Sequence, residues 1–248
     1  MKQVGSFAIG LITIFLATGA IAQAGIVDHA LYADLLNRHL HNGWVDYSGF
    51  QKDEALLDRY LQQLAGVDLQ SLPADEQFAF YANAYNAWTI KLILSRYPEI
   101  NSIKDLGSLF KSPWKRKLAR IDGRLLTLDQ IEHDILRKQF GDPRVHFAVN
   151  CASKGCPPLQ AEPFTGSQLN DQLNRAAQAF INDPSFNRLE GDTLWVSKIF
   201  DWFSADFEND VIGYFIKFAG QPLKDRLQAD RSRIRVKYLG YDWSLNER

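Results

Sequence analysis

Arg144-Val145-His146-Phe147-Ala148-Val149-Asn150-Cys151-Ala152-Ser153-Lys154-Gly155-Cys156-Pro157-Pro158-Leu159 holds both cysteines of the chain and one of its five histidines. Val145 to Asn150 is rich in β-branched and aromatic residues, which predicts a short buried strand. Ser153-Lys154-Gly155 turns the chain and Pro157-Pro158 stiffens its exit. Side chains alternate along a strand, so His146, Ala148 and Asn150 are expected on one face. Val145, Phe147, Val149 and Cys151 then fall on the other, apolar face. On that reading Cys151 is buried and Cys156, which follows the turn, swings back towards His146. The segment is a place for thiol chemistry and equally for a small disulfide staple.

Working outward, the N-terminus reads as a targeting segment. Lys2 supplies a positive start, Phe7 to Ala20 is apolar, and Ala22-Gln23-Ala24 fits a small-residue cleavage site. A membrane anchor competes, but the clean apolar run is shorter than the ~20 residues a spanning helix needs. Residues 1–24 are therefore expected to be a signal peptide and 25–248 one globular domain, exported to the periplasm or secreted. No later segment is apolar enough to span a bilayer, so stable membrane insertion after cleavage is not expected. The formal charge of −1 is too balanced to point to nucleic acid or to an anionic membrane. Lys115-Arg116-Lys117, beside Phe110 and Trp114, accordingly reads as a solvated rim.

Helical periodicity covers most of the remainder. Stripes at Ile26 to Leu40 and Gln51 to Ala65 precede a long helix that starts after Pro73 and runs to about Arg96. Asn83 and Asn86 lie within that apolar helix, and a buried amide without a partner costs roughly 1–3 kcal/mol. They either tie down loop backbone or donate hydrogen bonds into a site. Asp122-Gly123 predicts a hairpin turn, and Thr127-Leu128-Asp129-Gln130 a capping box that opens a helix to about Phe140. Glu132 and His133 sit on that helix, about 100° apart if it is an α-helix. Further helices are expected over Ser167–Asn182, from a Ser204 cap through Ala219, and over Pro222–Ala229. Short strands are expected over Asp192–Val196 and Ile234–Leu239. The fold class is α+β, a mainly helical domain around a small, mostly antiparallel sheet. His39 and His41, two apart, read as solvated.

Several blocks taken together resemble a known family. Asn83-Ala84-Tyr85-Asn86, Ile131-Glu132-His133, Asp142-Pro143-Arg144-Val145-His146-Phe147-Ala148 and Asn150-Cys151 with Cys156-Pro157-Pro158 look like the domain of unknown function 547 family. So do Ser197-Lys198-Ile199-Phe200 and Asp206-Phe207, giving a family-like core of about 77–207, and the closing Tyr241-Asp242-Trp243 also fits. The resemblance implies a single α+β domain. It draws attention to Glu132, His133, His146, Cys151 and Cys156 and assigns them no roles.

Two function classes follow from the residues. In the first, an exported thiol-dependent hydrolase or transferase uses Cys156 as nucleophile. His146 or His133 is its base, Glu132 orients an imidazole, and Asn83 or Asn86 donates to an oxyanion. In the second, a non-catalytic ligand-binding or envelope-associated domain carries a structural Cys151–Cys156 disulfide, the default for paired cysteines in an exported protein. Closing so short a loop is worth about 2 kcal/mol on the chain-entropy account. The gap is not the Cys-x-x-Cys of thioredoxin-like redox sites. The spacing of His133, His146, Cys151 and Cys156 fits no standard zinc motif, so no metal and no cofactor are expected.

Overall fold

The helix that begins after Pro73 is buried on nearly every side and forms the axis of the molecule. In the computed structural model, which describes residues 25–108 and 111–248, it spans Ala74–Leu94. The expected signal peptide lies outside the described residues. Alanines at 79, 82, 84 and 87 let neighbouring elements approach it closely, while Phe78, Phe80, Tyr85, Ile90 and Ile93 fill the spaces between. Against this helix (α4) pack α2 (Tyr47–Lys52) and α3 (Glu54–Ala65), and α1 (Ala30–His39) packs on those two. The expected helix over 51–65 is broken at Asp53, which leaves helical geometry at φ −100°, ψ 20° and whose carboxylate binds the His39 ring at 2.8 Å.

The α+β class holds, and helices dominate. The strands are divided among three small sheets at the periphery. β1 (Leu40–His41) pairs antiparallel with β2 (Trp44–Val45), and β3 (Ala119–Ile121) with β4 (Arg124–Leu126). The β3–β4 turn places Asp122 and Gly123 at φ 51° and 67°, the left-handed pair a two-residue hairpin demands. In the third sheet β6 (Thr193–Val196) pairs antiparallel with β5 (Arg188–Glu190) and parallel with β7 (Arg235–Tyr238).

The expected strand at the centre of the sequence is the principal correction. Val145–Ala148 is one turn of helix, not a strand, with Val149 the first extended residue. Asp142 starts it: its carboxylate accepts from the Arg144 backbone N–H at 2.9 Å and binds the Arg144 guanidinium. The turn wedges between two hydrophobic cores. Val145, Ala148 and Val149 pack into the one built on α4. Phe147 enters the other, beside Phe180, Phe200, Phe207 and Tyr214 at ring distances of 5.5 to 6.2 Å. Such aromatic pairs add about 0.5–1.5 kcal/mol each beyond area burial.

A second correction concerns Ser204. Glu208 and Asn209 both adopt positive φ, so the helix starts later, at Val211, capped by the Asp210 side chain on the Gly213 N–H. The helix over Leu169–Ile181 and the short helix Leu223–Ala229 lie where the periodicity places them. Among the described residues no helix is long and apolar enough to cross a membrane.

Candidate active site

The capping box forms as expected: Thr127 N–H donates to Gln130 Oε1 and Gln130 N–H to Thr127 Oγ1, each at 3.0 Å. The helix it opens, Gln130–Phe140, is wound with π-type hydrogen bonding. A π-helix turns less per residue than an α-helix and is common at functional sites. Glu132 and His133 therefore both reach the same cavity, although adjacent residues of an α-helix would diverge. The helix ends at Gly141, at φ 64°.

That cavity, about 220 Å³, is lined by Glu132, His133, His146, Cys151 and Cys156, together with an aromatic wall of Tyr85, Trp114, Trp202, Phe203, Tyr241 and Trp243. Because residues 145–148 are helical, the strand alternation that separates His146 from Cys151 does not operate, and both line one space. The His146 ring is stacked on Phe203 at 4.1 Å and sits beside Phe207 at 5.4 Å. Its Nε2 is 2.7 Å from the Asp206 carboxylate, which accepts only, so Nε2 carries the hydrogen. Burial pushes His146 below the ordinary imidazole pKa against the opposing pull of Asp206. At neutral pH the ring is neutral, with Nδ1 as its basic atom. Asp206 in turn is held far below the carboxylate range by the His146 hydrogen bond and by Arg137, which grips it through two donors at 2.7 and 3.0 Å.

Arg137 also fixes the second imidazole. A guanidinium can only donate, so His133 Nδ1, 3.1 Å from Arg137 Nη1, is the acceptor of that contact. Glu132 does not orient it closely: the carboxylate lies 3.9 Å from His133 Nδ1.

Asn83 and Asn86 do not serve an oxyanion. Asn83 clasps the backbone of Phe164, donating to its carbonyl at 2.8 Å and accepting from its N–H at 2.9 Å, and donates to His29 Nε2 at 3.2 Å. Asn86 clasps the thiol loop in the same way, donating to Ala148 O at 2.9 Å and accepting from Asn150 N–H at 2.8 Å. Both amides are consumed in tying loops to α4.

Both cysteines are free thiols and are not at disulfide distance, so the staple is absent. The loop holds its shape by other means. Asn150 donates to Pro157 O at 2.8 Å and accepts from Ala152 N–H at 2.9 Å and from Asn246 at 3.1 Å. The C-terminal segment straps the outside: Lys154 N–H donates to Ser244 O, and Gly155 N–H to Asp242 O, at 2.9 and 2.8 Å. Ala152, next to the first thiol, takes a left-handed φ of 61°, a conformation that costs a non-glycine residue on the order of 1–3 kcal/mol. Among the described residues no three His, Cys, Asp or Glu side chains gather as metal donors.

The two sulfurs stand in opposite environments. Cys151 is half-buried; its Sγ lies 3.0 Å from the Ser153 hydroxyl and 3.0 Å from the Tyr241 hydroxyl. Hydrogen bonding from Cys156, then from Ser153 and Tyr241, lowers its pKa below that of an ordinary thiol, against the effect of burial. Cys156 is buried, which pushes its pKa well up, and its Sγ already accepts the Cys151 N–H at 3.0 Å. Sequence reasoning did not find Tyr241, Ser153, Arg137 or Asp206 as parts of this site. The only signal for Asp206 and Tyr241 was membership of the blocks Asp206-Phe207 and Tyr241-Asp242-Trp243, far along the chain from either thiol, whereas Ser153 read as a turn residue and Arg137 carried no signal.

The chain was compared with protein families, with characterised proteins and with solved structures. No characterised protein and no solved structure matches it. Residues 69–181 match a family described as "Protein of unknown function, DUF547". That segment carries α4, the π-wound helix and the thiol loop, whereas Asp206, Tyr241 and Trp243 lie beyond it. Over that segment, a little under half of its length, the chain is similar to the DUF547 family.

Proposed function

We propose that this protein is a thiol-dependent hydrolase or transferase in which Cys151, not Cys156, is the nucleophile. The observation that carries the reading is the Cys151 sulfur itself. It sits in a cavity shared with His146, and two hydroxyl groups are placed to donate to its thiolate. A thiol becomes an effective nucleophile when its thiolate is stabilised. Here the stabilisation comes from the Cys156 thiol first and then from the Ser153 and Tyr241 hydroxyls, which also hold the attacking atom in place.

In the proposed reaction the sulfur attacks an acyl carbon while the thiol proton passes to His146 Nδ1. The carbonyl π electrons move to oxygen, and the tetrahedral adduct collapses as the bond to the leaving nitrogen or oxygen breaks. His146 returns the proton to that leaving group. Water, or an acceptor amine, then attacks the thioester, gives its proton to His146, and expels the thiol. Asp206 positions the imidazole through Nε2 and stabilises the imidazolium formed in passing, and Arg137 fixes Asp206. Cys156 is a positioning residue that holds the Cys151 backbone N–H. The protein works as an exported domain, a reading supported by the leader-like composition of residues 1–24 and checked by whether the chain is recovered from the periplasmic or culture fraction.

Alkylation by iodoacetamide near neutral pH, followed by peptide mass spectrometry, tests the assignment. Cys151 is expected to be labelled much faster than Cys156. Cys151→Ala should abolish labelling by acyl-type thiol probes, whereas Cys156→Ala should retain it. Preferential labelling of Cys156, or equal slow labelling of both, would overturn the proposal.

A further inference from the structure

We propose that the group this cavity holds beside Cys151 is a cationic alkylamine, so that the substrate class is an acyl compound bearing a protonated amine. The inference rests on the thiol reading for the bond that is broken, but the recognition it describes is a separate property of the cavity.

The walls are the first argument. Trp202, Tyr241 and Trp243 form one aromatic cluster, with ring centroids 4.5 to 5.7 Å apart, and Trp114 adds an edge 5.9 Å from Trp243. Aromatic faces carry negative quadrupole potential and attract ammonium groups, most strongly where water is excluded. The protein already uses this cluster for a cation: Lys104 Nζ lies 3.6 Å from the centroid of the Trp243 ring.

Charge is the second argument. Asp129 and Glu132 both line the cavity, and no lysine or arginine does among the described residues. The nearest ionisable nitrogens to them are those of His133, 3.9 Å from each, and its Nδ1 is already taken by the Arg137 guanidinium at 3.1 Å. The charge of Arg137 is itself matched by Asp206. Two carboxylates thus face an aromatic enclosure, and among the described residues no lysine or arginine pairs with either. An anionic substrate would meet repulsion there, and a neutral one would leave both carboxylates partly dehydrated and unpaired. Size agrees with a small group: about 220 Å³ takes roughly seven water-sized groups, the bulk of a lysine-like side chain.

The test uses three methanethiosulfonates of different charge, with 2-trimethylammonioethyl, 2-sulfonatoethyl and methyl groups, the first two being of similar size. Their rates at Cys151 are read by peptide mass spectrometry and divided by their rates with 2-mercaptoethanol. After that division the cationic reagent is expected to exceed the anionic one by about tenfold or more, the size of one desolvated cation–π contact. Asp129→Asn and Trp243→Leu should each reduce that preference several-fold while the neutral reagent changes little. Equal normalised rates, or a preference for the sulfonate, would overturn the amine assignment while leaving Cys151 as the nucleophile. If Cys151 resists all three reagents, the nucleophile reading fails. The amine inference is then decided by tryptophan fluorescence, where quenching by butylammonium and not by butyrate upholds it and equal responses refute it.

Discussion

Replacing Tyr241 with phenylalanine removes one oxygen from the site and little else. The ring packs against Trp202 at 4.8 Å and Trp243 at 4.5 Å, contacts that phenylalanine retains. What disappears is the hydroxyl 3.0 Å from Cys151 Sγ and 2.9 Å from Ser153 Oγ. A thiolate has no proton to give, so the Tyr241 hydroxyl can only donate to it, and such a charge-assisted bond is worth about 1.5–3 kcal/mol. Cys151 is half-buried, so water replaces part of the loss and the lower end applies. That corresponds to roughly a tenfold fall in thiolate population wherever the thiol is mostly protonated. The pH profile of iodoacetamide alkylation at Cys151 should therefore move to higher pH in Tyr241→Phe, and in the same direction in Ser153→Ala. The thermal midpoint of Tyr241→Phe should stay close to that of the wild type. Superimposable alkylation profiles would refute the claim that the hydroxyl donors contribute to the reactivity of this sulfur.

Other consequences concern the framework that presents the thiol. Asn86→Ala leaves the buried Ala148 carbonyl and Asn150 N–H without their partner, so chemical denaturation should show a loss of about 2–5 kcal/mol; a loss below about 1 kcal/mol would mean that the loop is held elsewhere. His29, between the Tyr60 hydroxyl and the Asn83 amide, is lowered by burial from 6.5 to about 4. The unfolded chain then binds more protons than the folded one between those values. Stability from this group is full above about pH 6.5 and declines as pH falls towards about 4, by on the order of 3 kcal/mol. His29→Gln, followed by denaturant titration across that interval, should flatten the decline.

Much of the framework was legible without coordinates because it is local. The capping box at Thr127 and Gln130, the Asp122-Gly123 turn and the amphipathic stripes each depend on residues within a few positions of one another. Asn83 and Asn86 are an intermediate case. Their burial in an apolar helix required partners, and of the two uses the residues allowed, the structure selects the clasping of loop backbone. Glu76 lies in the first turn of α4, where a carboxylate favours the helix dipole, and its tertiary role is not local: it is buried and clamps the backbone N–H groups of Val27 and Gly166.

The segment around the thiols misled for a physical reason. Val145-His146-Phe147-Ala148-Val149 has the composition of a strand, and a strand puts successive side chains on opposite faces. Its partners, however, are two hydrophobic cores on either side and the Asp142 carboxylate at its start. One helical turn satisfies all three at once, since it sends Phe147 one way and Val145 and Ala148 the other. Residue types by themselves established a mainly helical α+β chain and narrowed the chemistry to two thiols, a few imidazoles and an acid. Which sulfur has its pKa lowered and which has it raised depends on tertiary structure, because donors and burial are supplied by other elements. The groups that distinguish Cys151 from Cys156 include Tyr241, ninety positions away and brought over the loop by the C-terminal strap.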